Sequence, residues 1–268
     1  MTHEELSRNL RQLNLGAMAS EYAAHAQAAE KTRLTYEQFL AGLVAAELAY
    51  KNDCRIKRLI RDAKLPFLRH LEKYDFSQRT GITDLEFKRL AKGDFVRETA
   101  NVVLYGTFGL GKTHLAIALV LELVKSGIRC YFTSTHALIE TLLEAKKTLT
   151  LAALFKRLDR FDVIVCDELG YIAQSQDGAD LFFQLISQRS ERKSLVITTN
   201  LTYSEWDKVF VNPLNTAAAI DRIIHRCETF NIQGPSWREE EAKKRAKLKR
   251  NLTAKHEIDT SSLPTGQF

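Results

Sequence analysis

The run Gly106-Thr107-Phe108-Gly109-Leu110-Gly111-Lys112-Thr113 places glycines, a lysine and a hydroxyl at the spacing G-x-x-x-x-G-K-[ST]. A polyphosphate carries several negative charges. Successive backbone N–H groups can cradle it only where glycines leave room for close approach. Lys112 is then expected to reach the β- and γ-phosphates, and the Thr113 hydroxyl to meet Mg²⁺. A helix opening there turns its positive dipole end toward the anion. The backbone and side chains from Gly106 to His114 are the expected lining of this anion site.

Three further groups bear on what would happen to a bound nucleotide. Val163-Ile164-Val165-Cys166-Asp167-Glu168 reads as an apolar strand that delivers two carboxylates at its C-terminal end, where α/β sheets hold their ligands. Asp167 is placed to hold Mg²⁺, and Glu168 to polarise a water toward the γ-phosphate. A kinase needs no such glutamate, so the pair favours hydrolysis. Asn200 ends another strand and either orients that water or simply terminates the strand. In Asp221-Arg222-Ile223-Ile224-His225-Arg226 two arginines lie four residues apart, on one face of a predicted helix. An arginine finger reaching a neighbouring subunit is one reading, with Arg226 the first candidate, Arg222 the second and Arg189 the third. An ion pair of Arg222 with Asp221 or Glu228 is the other.

These residues need a scaffold of strands that end near one another. From Asn101 onward, short apolar runs alternate with helical patterns: strands at 101–105, 130–134, 162–166 and 194–199, then a last extended stretch at 229–232. Helices are expected at 112–126, 136–147, 151–160, 179–192, 204–210 and 216–227. That alternation predicts an α/β fold with a parallel sheet sandwiched by helices. Upstream, helical spacing without strands predicts a small all-α domain. Its basic stretch, Lys51, Arg55, Lys57, Arg58, Arg61, Lys64 and Arg69, reads as a solvated face or as a phosphate-contacting or partner-docking one. The expected domains are 1–80 (helical), 81–235 (nucleotide-binding core) and 236–268 (a basic, flexible tail too poor in apolar residues to form a full helical lid).

The balance of 45% hydrophobic and 27% charged residues excludes a disordered chain, and the net charge of +6 suits a nucleic-acid partner without requiring one. The four cysteines, Cys54, Cys130, Cys166 and Cys227, form no C-x-x-C pair, so neither a zinc site nor a disulfide framework is suggested. With no signal-peptide pattern and no apolar run of membrane length, a soluble cytoplasmic protein is expected.

The motifs Gly-x-x-Gly-x-Gly-Lys-Thr-His-Leu-Ala, Asp-Glu-Leu-Gly-Tyr (Asp167 to Tyr171), Gln-Arg-Ser-Glu-Arg (Gln188 to Arg192), Thr-Thr-Asn-Leu (Thr198 to Leu201), Trp206 and Asp-Arg-x-x-His (Asp221 to His225) follow one another in order. Together they resemble the IstB helper ATPases of insertion-sequence transposition, relatives of the DnaC helicase loaders and DnaA initiators in the AAA+ class. The resemblance implies ATP and Mg²⁺ as ligands, with Gly111, Lys112 and Thr113 binding them and Asp167 and Glu168 as the Walker B pair. It also implies Asn200 as first sensor, Arg226 as finger, and Lys146 and Lys147 as double-stranded DNA contacts. Such proteins assemble on DNA as ATP-dependent homo-oligomers, remodel it, and recruit or activate the element's transposase. A loader of a replicative helicase is the alternative. Two departures stand out: Thr107-Phe108 where the family has two prolines, and Ser236-Trp237-Arg238 where it has Ser-Tyr-Arg.

Overall fold

The computed structural model describes residues 1–170, 175–210 and 212–237. The chain divides into two compact units at Arg61/Asp62. The first consists of α1 (His3–Gln12), α2 (Gly16–Thr32) and α3 (Tyr36–Asp62). Thr2 and Glu5 close a capping box at the start of α1. Glu47, buried on α3, accepts the Met18 N–H at 3.0 Å and faces the Lys51 ammonium at 3.7 Å. The basic residues of α3, Lys51, Arg55, Lys57, Arg58 and Arg61, are all exposed.

The second unit opens at Asp62, so residues 62–80 belong with the α/β fold and not with the helical domain to which the sequence pattern joined them. The physical reason is packing. The Ala63 carbonyl accepts the Phe132 N–H at 2.8 Å, and Thr80 bridges antiparallel to Gln233. Then follow α4 (Asp84–Ala91), α5 (Asp94–Arg97), β1 (Asn101–Tyr105), α6 (Lys112–Lys125), β2 (Cys130–Ser134), α7 (Thr135–Lys147), α8 (Leu151–Leu158) and β3 (Val163–Leu169). The described chain continues with α9 (Gln176–Arg189), β4 (Ser194–Thr199), α10 (Asp207–Phe210), α11 (Pro213–Ile224) and β5 (Cys227–Asn231).

The five strands form one parallel sheet in the order β2-β3-β4-β1-β5. Strand side chains alternate between faces. Val103, Ile164, Cys166, Leu195 and Ile197 join a core with α7, α8, α9, α10 and α11, where Phe182 stacks on Phe210. The intervening Val102, Leu104, Val163, Val165 and Val196 are equally buried on the opposite face, where α6 packs against β2, β3 and β4. Each such side chain contributes about 1.5–3 kcal/mol on burial, and this holds the strand ends in register. Among the described residues no helix is long and apolar enough to cross a membrane.

One boundary changes the reading of a candidate residue. The helical pattern runs to Cys227, but α11 ends at Ile224. His225 and Arg226 form a turn, the Arg226 carbonyl accepts the Asn101 N–H at 2.7 Å, and the strand begins at Cys227, which pairs with Asn101. Arg222 and Arg226 therefore do not share a helix face. The tail from 238 onward, including Arg238, and Tyr171 of the Asp-Glu-Leu-Gly-Tyr motif lie outside the described residues.

Candidate functional site

β1 runs directly into the glycine loop, and α6 starts at Lys112 with Gly111 as its N-cap at φ 84°. That left-handed conformation suits glycine. Gly106 is fixed by its neighbours: a Cβ there would stand 2.2 Å from the Ile232 carbonyl oxygen, part of the backbone beyond β5. Lys112 Nζ donates to the carbonyls of Gly106 and Thr107, both at 2.8 Å, and so holds its charge over the loop. Leu110 is buried and its carbonyl accepts the Tyr74 hydroxyl at 3.3 Å, which leaves only its backbone for an anion.

β4 lies between β1 and β3, which sets the spacing between the loop and the acidic pair. The Thr113 hydroxyl donates to the Asp167 carboxylate oxygens at 3.0 and 3.1 Å, and Thr198, on β4, donates to the same carboxylate. Burial pushes the Asp167 carboxyl above its ordinary value and the neighbouring Glu168 charge adds to that. The Thr198 and Thr113 hydrogen bonds and the Lys112 charge oppose the rise without cancelling it. Glu168 is exposed, with φ 59°. A non-glycine residue in that region costs roughly 1–2 kcal/mol. Its N–H donates to Thr198 Oγ1 at 2.9 Å, a bond of about 1 kcal/mol that offsets part of the cost.

Phe108 to His114, Glu168 and Asn200 line one cavity of about 710 Å³. Gly106, Thr107 and Asp167 are not part of its wall. The rest of the wall is Phe67, Arg69, Tyr74 and Arg79 from the 62–80 segment, Thr198 and Thr199 from β4, and Trp237; of these the sequence singles out Arg69 as part of the basic stretch, and none as lining of this site. The Arg79 guanidinium lies 5.5 Å from the Tyr74 ring and 5.2 Å from that of Trp237. The Trp237 backbone N–H donates to the Gly109 carbonyl at 2.8 Å, which carries the chain past β5 over the loop. Two hydroxyls in front of Asn200 were the readable signal for Thr198 and Thr199. The 62–80 residues carry no spacing pattern, and only folding brings them to the loop. His114 sits on this side too, its Nε2 3.0 Å from the His70 carbonyl and its ring edge-on to Tyr74.

The donor set fits Mg²⁺. Among the described residues no group of three or more His, Cys, Asp or Glu could cage a metal. Mg²⁺ instead uses one or two protein oxygens and completes its shell with phosphates and water. Thr113 Oγ1 and the Asp167 carboxylate are such hard oxygens, already adjacent.

The three arginines part company. Arg189 is buried and donates to the carbonyls of Leu158, Phe161, Asp162 and Ser194 at 3.0–3.3 Å. Burial lowers its guanidinium to about 10. It is a structural bolt, which removes it as a finger candidate. Arg222 donates to the Ala218 carbonyl at 2.9 Å and lies 5.2 Å from the Phe183 ring, so its partners are on α9 and α11. Arg226 is exposed, with Nη1 3.5 Å from the Glu98 carbonyl. It lies at the N-terminal end of the sheet, opposite the loop. Lys146 and Lys147 end α7, exposed; Lys146 pairs with Asp177 at 3.1 Å. Lys147 shares a groove of about 700 Å³ with Glu140, Glu144 and Arg157, so that surface is mixed in charge.

A glycine loop on β1, an acidic pair on β3 and the order β2-β3-β4-β1-β5 define a P-loop core of the AAA+ class. The family model described as "IstB-like ATP binding protein" matches residues 8–246. The chain belongs to that family. It is 33% identical over 249 residues to an ATP-binding protein of insertion sequence IS21 from Pseudomonas aeruginosa, covering 93% of this chain and 94% of that one. An insertion sequence ATP-binding protein of Sinorhizobium fredii is 34% identical over 234 residues, 87% of this chain and 78% of that one. Among solved structures, the DnaC helicase loader aligns with TM-score 0.50 at 24% identity, over 61% of this chain and 96% of that one. That last likeness is one of fold.

Proposed function

We propose that this chain is an ATP-hydrolysing, DNA-binding regulator of transposition that assembles on target DNA, remodels it and engages the element's transposase, with hydrolysis driving disassembly. One observation carries the reading: Thr113 and Asp167 meet by hydrogen bond beside a cavity walled by the glycine loop, Glu168 and Asn200. The insertion-sequence relatives favour transposition over helicase loading, since the likeness to the loader extends to the fold alone.

In this reading the loop amides and the Lys112 ammonium bind the β- and γ-phosphates. Thr113 and Asp167 hold Mg²⁺, which supplies charge neutralisation at the phosphate oxygens. Glu168 accepts a proton from water in the cavity, and Asn200 orients that water. Arg226 cannot serve its own loop. A five-residue parallel strand spans roughly 16 Å, and Arg226 stands at the far end of it, so only a second copy could present this guanidinium to the site. That is the support for a homo-oligomer assembled with ATP and DNA. Lys146, Lys147 and the basic face of α3 supply the phosphate-backbone contacts, which predicts strongly salt-dependent binding to duplex DNA.

The chain has two tryptophans, of which Trp206 is fully buried and Trp237 is 41% exposed in the cavity wall. Adding ATP and Mg²⁺ should therefore change the emission of Trp237. Lys112→Ala should abolish that change, and Glu168→Gln should keep it while hydrolysis falls on the order of 10²–10⁴-fold. Glu168→Gln should also prolong the life of the DNA-bound assembly. Normal turnover by Glu168→Gln would remove Glu168 from the mechanism.

A further inference from the structure

Cys166 pairs with Ile197 and Leu169 with Thr199, so between these pairs β3 runs one residue longer than β4. A bulge of this kind strips backbone groups of their ladder partners, and buried ones must be satisfied by other means. Threonine hydroxyls do this. Thr135 Oγ1, at the first residue of α7, donates to the Asp167 carbonyl at 3.0 Å. Thr198 Oγ1 accepts the Glu168 N–H at 2.9 Å while its own proton goes to the Asp167 carboxylate. Thr199 Oγ1 donates to the Leu169 carbonyl at 2.8 Å.

The peptide joining Asp167 to Glu168 has two polar handles, one carbonyl and one N–H. Both are pinned, by hydroxyls from two different elements, α7 and β4. A peptide plane held at both handles cannot rotate, and beyond it the Leu169 carbonyl is held as well. We propose that Thr135 and Thr198 are positioning residues that lock this peptide and so aim the Glu168 carboxylate into the cavity. The inference rests on the reading of Glu168 as the group that activates water. It also accounts for a glutamate at φ 59° in a position where β3 would otherwise continue as regular strand.

Valine keeps the branched shape of threonine and removes the hydroxyl, whereas serine restores it. Thr135→Val is the cleaner variant because Thr135 bonds only to a backbone carbonyl here, while Thr198 also touches the Asp167 side chain. Thr135→Val should lower kcat about 10- to 100-fold with KM for ATP within about threefold, the loss expected from misplacing a catalytic group by a fraction of an ångström. Thr198→Val should do the same to kcat and should also speed hydrogen exchange of the Glu168 amide, followed by NMR in nucleotide-free protein, by about tenfold or more. Thr135→Ser and Thr198→Ser should recover most of both losses. Wild-type kcat in both valine variants would overturn the inference. So would a loss of ATP affinity matching the loss of kcat in both, with no rescue by serine, since that describes general damage. If the wild-type chain itself binds no ATP, the proposed function falls instead. Amide exchange then decides for the lock alone, an unchanged Glu168 amide in Thr198→Val overturning it and a faster one sustaining it.

Discussion

The two ends of the sheet use the same residue types for opposite purposes. At the C-terminal ends of the strands, Lys112, Thr113, Glu168 and Asn200 face a cavity of about 710 Å³. At the N-terminal ends the polar groups close on the chain itself. Arg189 is held through Nη1 and Nη2 by carbonyls from the end of α8, the α8–β3 connection and β4. Asp162 accepts from Arg129 and Lys193, and Asn101 bonds Ile223 and Leu195. A charged side chain buried against backbone carbonyls stabilises the fold and is turned away from any ligand. At the cavity, Lys112 and Thr113 are bonded within the site itself, to the Gly106 and Thr107 carbonyls and to Asp167. Arg226 is exposed on the rim of the N-terminal end, with Nη1 3.5 Å from the Glu98 carbonyl.

The largest expected effect tests Arg226. Arg226→Ala should keep the ATP-dependent change in Trp237 emission and lose hydrolysis on the order of 10³-fold at high protein concentration. Mixing it with Lys112→Ala protein, which retains Arg226, should restore part of the activity. Failure of the mixture to gain any activity would count against a role across subunits.

Next comes Arg189. Arg189→Ala leaves buried carbonyls without donors and should destabilise the fold by about 3 kcal/mol, read from denaturant midpoints. Activity per folded molecule should stay near wild type. A variant that is stable but inactive would return Arg189 to the site.

The smallest effect concerns pH. Burial raises the Asp162 carboxyl, but hydrogen bonds from Arg129 and Lys193 outweigh this and bring it down to about 2 from 3.8. A depressed carboxyl contributes stability that is full above its unfolded value and is lost as pH falls toward the folded one. Asp162 is partly exposed, so the contribution is about 1 kcal/mol after screening. Thermal melts should show Asp162→Asn less stable than wild type at pH 6, with the gap closing between pH 4 and 2. A gap that persists at pH 2 would assign the loss to packing.

Much of the catalytic end was legible before folding was considered, because local chemistry dictates it. A loop that must admit phosphates needs glycines at fixed offsets, and a buried parallel strand needs an unbroken apolar run. The loop, the Asp167–Glu168 pair and the five strands followed from these requirements, the last of them as an extended stretch at 229–232 that overlaps β5. The order of the strands, by contrast, is a property of crossovers. With it came the insertion of β4 between β1 and β3, which brings Thr198 to Asp167 and Glu168.

The sequence by itself determined the P-loop, its acidic partners and the parallel α/β core, since each is written in consecutive residues whose spacing matches a backbone period. Only the tertiary structure decided that residues 62–80 join the α/β unit and that Tyr74, Arg79 and Trp237 wall the cavity. It also separated three arginines into a bolt, a packed side chain and an exposed one. Burial and hydrogen-bond saturation arise between residues far apart in the chain, and no local pattern records them.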